Sequence, residues 1–296
     1  MSPVSRAWRW VREHAVMGVG ILAVAYTLIP ILVIAIFSFN DPKGKFNFTW
    51  EGFTLDHWQN AFGIPELTEA LRLSLELAAL STLVATSIGT LLAIGLVRYQ
   101  FKGRQLANLL IVIPMATPEV VLGASLLSMF VFIGVDRGFS TLWVAHIMFS
   151  ISFVVVVVRS RLIGFDRSLE EAARDLGATA WTTFRTVTLP LLAPGLAAAA
   201  MLAFALSLDD FVISNFNSGT TVTFPLFIFG ASQRGIPVEV NVLATMLFIV
   251  TAIAMGFTVW QQARAEKLAA MRPDDDVDTG LSALVSGQRP VAGEPS

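Results

Sequence analysis

An all-α integral membrane protein with six transmembrane helices is the fold class that the sequence predicts, and three observations predict it. The chain is 55% hydrophobic and only 14% charged, with a mean hydropathy of +0.69, whereas soluble domains are roughly 25% charged. Six apolar runs long enough to cross a bilayer are separated by polar segments. Lysine and arginine favour alternate segments, as the positive-inside rule requires. Cysteine is absent, which excludes a disulfide framework, a thiolate nucleophile and a cysteine metal site. The net charge of −2 says little, because in a membrane protein the distribution of charge matters more than its sum.

The first run, 15–39, follows Arg6, Arg9 and Arg12 in an N-terminal segment of residues 1–14. It is long enough to span and no small-residue cleavage site follows it, so an uncleaved first span is expected. Further spans are expected at about 71–97, 106–133, 142–158, 191–216 and 240–261. Pro114 and Pro118 break the third, because proline lacks the N–H and clashes with the preceding turn. No Gly/Ser-rich or Pro-rich linker divides the spans, so residues 15–262 are expected to form one domain. The tail 263–296 carries Asp274, Asp275, Asp276 and Asp278 followed by small residues, and disorder is expected from 272.

With the N-terminus inside, the inner segments hold 15 basic residues and the outer segments 5, namely Lys43, Lys45, Arg72, Arg137 and Arg234. This places both termini and the loop 159–190 in the cytoplasm.

Within that loop, 168–190 reads as two short helices. Ser168 is expected to cap the first, with Glu171 closing a capping box, and Gly177 suits the left-handed position that ends it. Thr179 is expected to cap a second helix running to Thr188, before Leu189-Pro190 punctuates the return to apolar sequence. The plain reading is a well-capped surface loop. Glu171-Ala172-Ala173, then Gly177, then Val187-x-Leu189-Pro190 after nine intervening residues, resemble the EAA loop of bacterial ABC importer permeases. Val187 stands where isoleucine is usual. The resemblance implies a coupling helix that docks on a nucleotide-hydrolysing partner, with Glu171, Ala172, Ala173, Gly177, Leu189 and Pro190 carrying the motif.

Acidic residues inside apolar runs are the second feature. Asp209 and Asp210 lie near the end of the fifth span and Glu119 lies in the third. A carboxylate at the bilayer centre costs roughly 2.5–3.5 kcal/mol on insertion scales. At 1.5 Å per residue, Asp209 lies about 28 Å beyond Pro190 and Glu119 about 22 Å beyond Arg104, both in the outer half of a core about 30 Å thick. They read as a cation site open to the outside, against the alternative that the aspartates end a span at the headgroups. Glu76 sits one turn from Arg72 and reads as a neutralising pair.

Further segments narrow the resemblance: Ser207-Leu208-Asp209-Asp210; Glu239, Asn241, Ala244 and Thr245; Ser160-Arg161-Leu162 with Gly164-Phe165-Asp166; Arg137-Gly138-Phe139; and Ala145-His146-Ile147. Together, over about 34–261, they resemble the second permease subunit of spermidine/putrescine importers. This implies a heterodimer with a second permease, two ATPase subunits using ATP and Mg, and an extracytoplasmic polyamine-binding protein. It also implies substrate-path roles for Asp209, Asp210, Ser207, Glu119 and Trp58. Glu119 replaces an aspartate common at that position. Spaced carboxylates and aromatic faces suit a string of ammonium groups, each cation–π contact contributing roughly 0.5–2 kcal/mol. Trp58, or second Trp50, has interfacial anchoring as its alternative. Glu239 is a weaker candidate, since Pro237 and an early acid also suit a helix N-terminus.

Nothing reads as catalysis, so the chain is expected to be a transport subunit and not an enzyme, with no cofactor of its own. His14, His57 and His146 are far apart, and His146 reads as a hydrogen-bonded core residue. No G-x-x-x-x-G-K-[ST] motif is present, and no basic stripe with interleaved aromatics points to nucleic acid. Within the ABC class, another organic cation, an opine-like compound or a metal complex remains open as substrate. An ion-coupled secondary transporter is the alternative from another class; such folds usually show inverted repeats and paired broken helices, and one broken span with no convincing repeat argues against it. A non-transporting scaffold would leave the intramembrane acids without a purpose.

Overall fold

The structure, a computed structural model, describes residues 3–270. The tail expected to be disordered from 272 lies outside the described residues. Among the described residues the secondary structure is helical, with one isolated bridge between Asn40 and Phe53 and no named strand. Two compact units form, one of Phe37–Val240 and one of the described residues on either side of it.

The flanking unit holds α1 (Pro3–Phe37) and most of α12 (Val238–Ala270). The first helix starts at Pro3, so the basic N-terminal segment is continuous with the first span. Val16, Leu22, Tyr26 and Leu32 all stand exposed on it. A helix that is apolar all round belongs in lipid or against another chain.

The larger unit runs through α2 (Asp56–Gln59), α3 (Pro65–Arg98), α4 (Arg104–Ala116), α5 (Glu119–Phe132), α6 (Phe139–Ile163), α7 (Ser168–Asp175) and α8 (Ala180–Thr183). A π-helical turn (Phe184–Thr188) then leads into α9 (Leu189–Asp209), α10 (Val212–Asn217) and α11 (Phe224–Arg234). Its core is the α3–α6–α9 contact, where Ala85, Ala93 and Leu96 pack with Val154, Val155 and Val158 and with Leu192, Ala199 and Ala203. Helices in lipid gain little from hydrophobic exclusion and associate through close packing of small residues. Gly89 is the extreme case: a Cβ there would stand 2.6 Å from Val154 Cγ1.

The break expected in the third span is present, and two other expectations change. The third span is two helices, α4 and α5, bent by 110°. Pro114 sits inside α4, and Thr117 and Pro118 are extended between the two, because a proline pushes the residue before it out of the helical region. Among the described residues, five helices are long and apolar enough to cross a membrane, and there is a sixth crossing when the bent pair is taken as one. The straight-helix depth measure therefore ends at Ala116. The fifth span, expected to run to 216, stops as a helix at Asp209; Asp210 is extended (φ −64°, ψ 117°) and 212–217 form the separate α10. Finally, Leu189-Pro190 does not end the second loop helix. Residues 180–209 run as one continuous helical segment. Pro190 sits at the start of α9, where the Leu189 N–H bonds to the Phe184 carbonyl five residues back, and this wider turn accommodates the missing proline donor.

Candidate coupling loop and cation path

The loop is built by its caps. Arg167 already has helical φ and ψ, so capping moves upstream: Asp166 Oδ1 accepts from the Ser168 N–H at 2.9 Å, and the expected Ser168–Glu171 capping box does not form. The backbone and side-chain hydrogen bonds from Ser168 hold the Asp166 carboxyl below its ordinary range. Gly177 has φ +86°. Its N–H donates to the Arg174 carbonyl (2.8 Å) and the Ala178 N–H to the Ala173 carbonyl (3.0 Å), the paired bonds of a Schellman turn. Thr179 caps α8, accepting from the Thr182 N–H at 3.2 Å.

Glu171, Ala172, Leu189 and Pro190 are exposed, and Leu176 beside Gly177 is 90% exposed, with Leu169 and Trp181 also open. The neighbouring Glu170 is different. It is buried, and its carboxylate accepts from Arg98 Nη1 of α3 and from Thr188 Oγ1 of the π turn. Burial opposes its ionisation, but the hydrogen bonds from Arg98 and Thr188 and the charges of Arg98 and Arg174 outweigh that and hold the carboxyl below its ordinary range. The Arg98 guanidinium also lies 5.5 Å from the Phe165 ring centroid. The sequence reading passed over Glu170, because two adjacent glutamates differ only in which side of α7 they occupy.

From the loop, the continuous 30-residue helical segment Ala180–Asp209 spans about 45 Å at 1.5 Å per residue. At its far end the two aspartates part company. Asp209 is exposed and Asp210 is buried. Asp210 caps α10, accepting from the Ile213 N–H (3.2 Å) and the Ser214 N–H (2.8 Å). His146 of α6 is buried and bonded through both ring nitrogens, Nδ1 to Ser207 Oγ at 2.7 Å and Nε2 to Ser214 Oγ at 3.0 Å. Ser207 also meets Ser81 of α3 at 3.0 Å. The packing of α10 on α5 is close: Asn217 Nδ2 donates to the Gly123 carbonyl at 3.2 Å, and a Cβ on Gly123 would stand 2.9 Å from Phe216.

Glu119 opens α5 as an exposed first-turn acid. Trp58 is half-buried; its Nε1–H donates to Ser38 Oγ at 3.2 Å, and its ring stacks on Phe39, which stacks in turn on Phe53. Glu239, in the first turn of α12, pairs with His57 Nδ1 at 3.0 Å, so His57 in α2 joins the segment holding Trp58 to that acid. Lys45, His57, Arg234 and Glu239 line a cleft of about 380 Å³. Among the described residues no three of His, Asp and Glu come together as metal ligands.

A bent helix pair, a capped helix–Gly–helix loop and an apolar three-helix core are the architecture of a multi-pass helical membrane protein. Residues 85–267 match the family of binding-protein-dependent transport system inner membrane components, and the chain belongs to that family. It is 40% identical over 230 residues to the spermidine/putrescine transport system permease protein PotC of Escherichia coli K12, covering 77% of this chain and 86% of the relative. It is 38% identical over 258 residues to the putrescine transport system permease protein PotI of the same organism, covering 83% and 91%. A chain from the crystal structure of a bacterial ABC transporter that imports the acidic polysaccharide alginate superposes with a TM-score of 0.63 at 18% identity, over 88% of this chain and 99% of that one; that likeness concerns the fold.

Proposed function

We propose that this chain is the permease subunit of an ATP-driven polyamine importer and forms half of the translocation path with a second permease. Two ATPase subunits, using ATP and Mg, dock on loop 168–190 in the cytoplasm, and an extracytoplasmic binding protein delivers spermidine or putrescine. Both termini lie on the cytoplasmic side, in keeping with the distribution of basic residues. The relatives named for spermidine and putrescine support the substrate class.

The observation that carries the coupling is the unbroken helix from Ala180 to Asp209. Closure of the ATPases moves α7 through its exposed Glu171 and Ala172 and the half-buried Ala173 beside them. That displacement passes from α7 through the Glu170–Thr188 hydrogen bond into the helical segment that ends where Asp209 is exposed. Asp209 and Glu119 attract the ammonium groups in the outward-open state, and Trp58 and Glu239 contribute to the approach. A shift of the helix then withdraws Asp209 from the outer opening and frees the cation inward.

The test is uptake of labelled spermidine and putrescine into uptake-deficient cells expressing the whole complex. Wild type is expected to import, and membrane-inserted Asp209→Asn and Glu171→Lys to fail. Wild type that hydrolyses ATP but moves no polyamine overturns the substrate class. Normal uptake by Asp209→Asn overturns the cation path and leaves the coupling intact.

A further inference from the structure

Ser207 enters the cation path through family resemblance, yet it is buried, and its one proton and one of its two lone pairs are committed to neighbouring side chains. Ser81 Oγ lies 2.7 Å from the Leu77 carbonyl and 3.0 Å from Ser207 Oγ. A carbonyl only accepts, so the single Ser81 proton goes to Leu77. Ser207 must then donate to Ser81, which uses its one proton. Its other contact is His146 Nδ1 at 2.7 Å, so Nδ1 carries the proton there and donates to Ser207. The tautomer of His146 follows, and Nε2 faces α10, 3.0 Å from Ser214 Oγ and 3.5 Å from Asp210 Oδ2. Ser81, Ser207, His146, Ser214 and Asp210 are all buried, and a directed chain of this kind is costly to break because each orphaned group stays away from water.

We propose that His146 is a positioning residue for the cation path. Backed by Ser81 and Ser207, it presents Nε2 as acceptor to the Ser214 hydroxyl and so holds the first turn of α10, whose N–H groups bond Asp210; this keeps the break between α9 and α10 and leaves Asp209 as the carboxylate of the pair that meets the cation. Asp210 is buried and accepts two α10 N–H bonds, so an ammonium group does not reach it without dismantling the cap. Ser207 acts on the imported cation only through the ring it orients. The inference rests on the cation-import reading and deepens it.

The experiment compares His146→Gln, His146→Asn, Ser207→Ala and the Ser207→Ala/His146→Gln pair in the assembled complex. Two quantities are read: KM and maximal rate of spermidine uptake, and amide exchange of 212–217 in the purified complex. Glutamine places a polar group near Nε2 and asparagine near Nδ1. His146→Asn is expected to raise KM roughly tenfold or more and to speed α10 exchange, with His146→Gln within about threefold of wild type on both. Ser207→Ala is expected to raise KM alone but to add little on top of His146→Gln. Equal effects of glutamine and asparagine on both readouts reduce His146 to packing and overturn the proposal. An undiminished Ser207→Ala effect in the His146→Gln background also overturns it, since Ser207 then meets the cation itself. Should wild type import no polyamine, the cation-import reading fails, and the exchange pattern alone decides whether His146 positions α10.

Discussion

Arg98, the last residue of α3, donates to the carboxylate of Glu170 in α7, and Thr188 at the end of the π turn donates to the same carboxylate. One buried acid thus ties the loop to two spans. A push on α7 reaches α3 through Arg98 and α9 through Thr188, so the two core helices receive it together. Arg167 adds a second tie, donating to the Val97 carbonyl at 3.3 Å.

Glu170 and Glu171 are therefore expected to separate stability from coupling. Glu170→Ala strands the Arg98 guanidinium and should destabilise the permease by about 3–5 kcal/mol, the range for breaking one side of a buried pair. Glu171→Ala, on the exposed face, should change stability by less than about 0.5 kcal/mol while lowering uptake. Melting of the purified complex beside transport measures both, and equal melting temperatures for the two variants would sink the distinction.

The pH dependence of the loop follows from the depressed carboxyl of Glu170. A carboxyl whose folded pKa lies below its unfolded value stabilises fully above the unfolded value, about 4.3 for glutamate. That contribution is lost as pH falls through the folded value. Protection of 168–175, with intrinsic exchange divided out, should hold down to the ordinary carboxylate range and fall only below it. Glu170→Gln should shrink that step to the part carried by Asp166, the other depressed carboxyl of the loop.

Gly177 isolates a purely conformational effect. Nothing lies within 4 Å of a Cβ built on it, and its φ is +86°. Gly177→Ala should cost about 1–2 kcal/mol from the left-handed backbone alone, and Gly177→Asn less, because asparagine tolerates that region. Exchange of α7 reports the loss; an alanine variant as protected as wild type contradicts it.

Gly89 makes the opposite case. Gly89→Ala should destabilise by about 1–3 kcal/mol through overpacking against Val154. Val154→Ala in the same chain should recover part of that loss, because the atoms that clash are Val154 Cβ and Cγ1. Simple additivity of the two substitutions in a melting series would show that α3 and α6 have room to shift.

Capping separates the paired aspartates. Asp210→Ala removes the cap of α10 and should cost about 0.5–2 kcal/mol. Asp209→Asn, at an exposed position, should leave melting unchanged and reduce uptake.

Where local chemistry governs, the chain was legible. The left-handed position was read at Gly177 and the cap at Thr179, because a single residue's φ preference or hydroxyl decides each. Ser168 misled, because Asp166 two residues earlier competes for the same backbone donor. The Leu189-Pro190 stop misled because a π turn, which no propensity scale announces, lets the helix pass through a proline. His146 was read as a hydrogen-bonded core residue, yet its partners on α9 and α10, 61 and 68 residues away, were not legible.

By itself the sequence determined the class: apolar runs, basic asymmetry and the spaced Glu171–Pro190 motif are properties of composition and short-range order. Tertiary structure alone decided which of two neighbouring acids is buried and bonded and which is exposed. Glu170 and Glu171, and likewise Asp209 and Asp210, are chemically identical pairs on adjacent positions. An α-helix turns about 100° per residue, so one member of the loop pair faces Arg98 and Thr188 while the other faces out. At Asp210 the helix breaks, which buries one carboxylate under α10 and leaves its neighbour exposed. Burial and partners are long-range properties, set only when α3, α6, α9 and α10 come together.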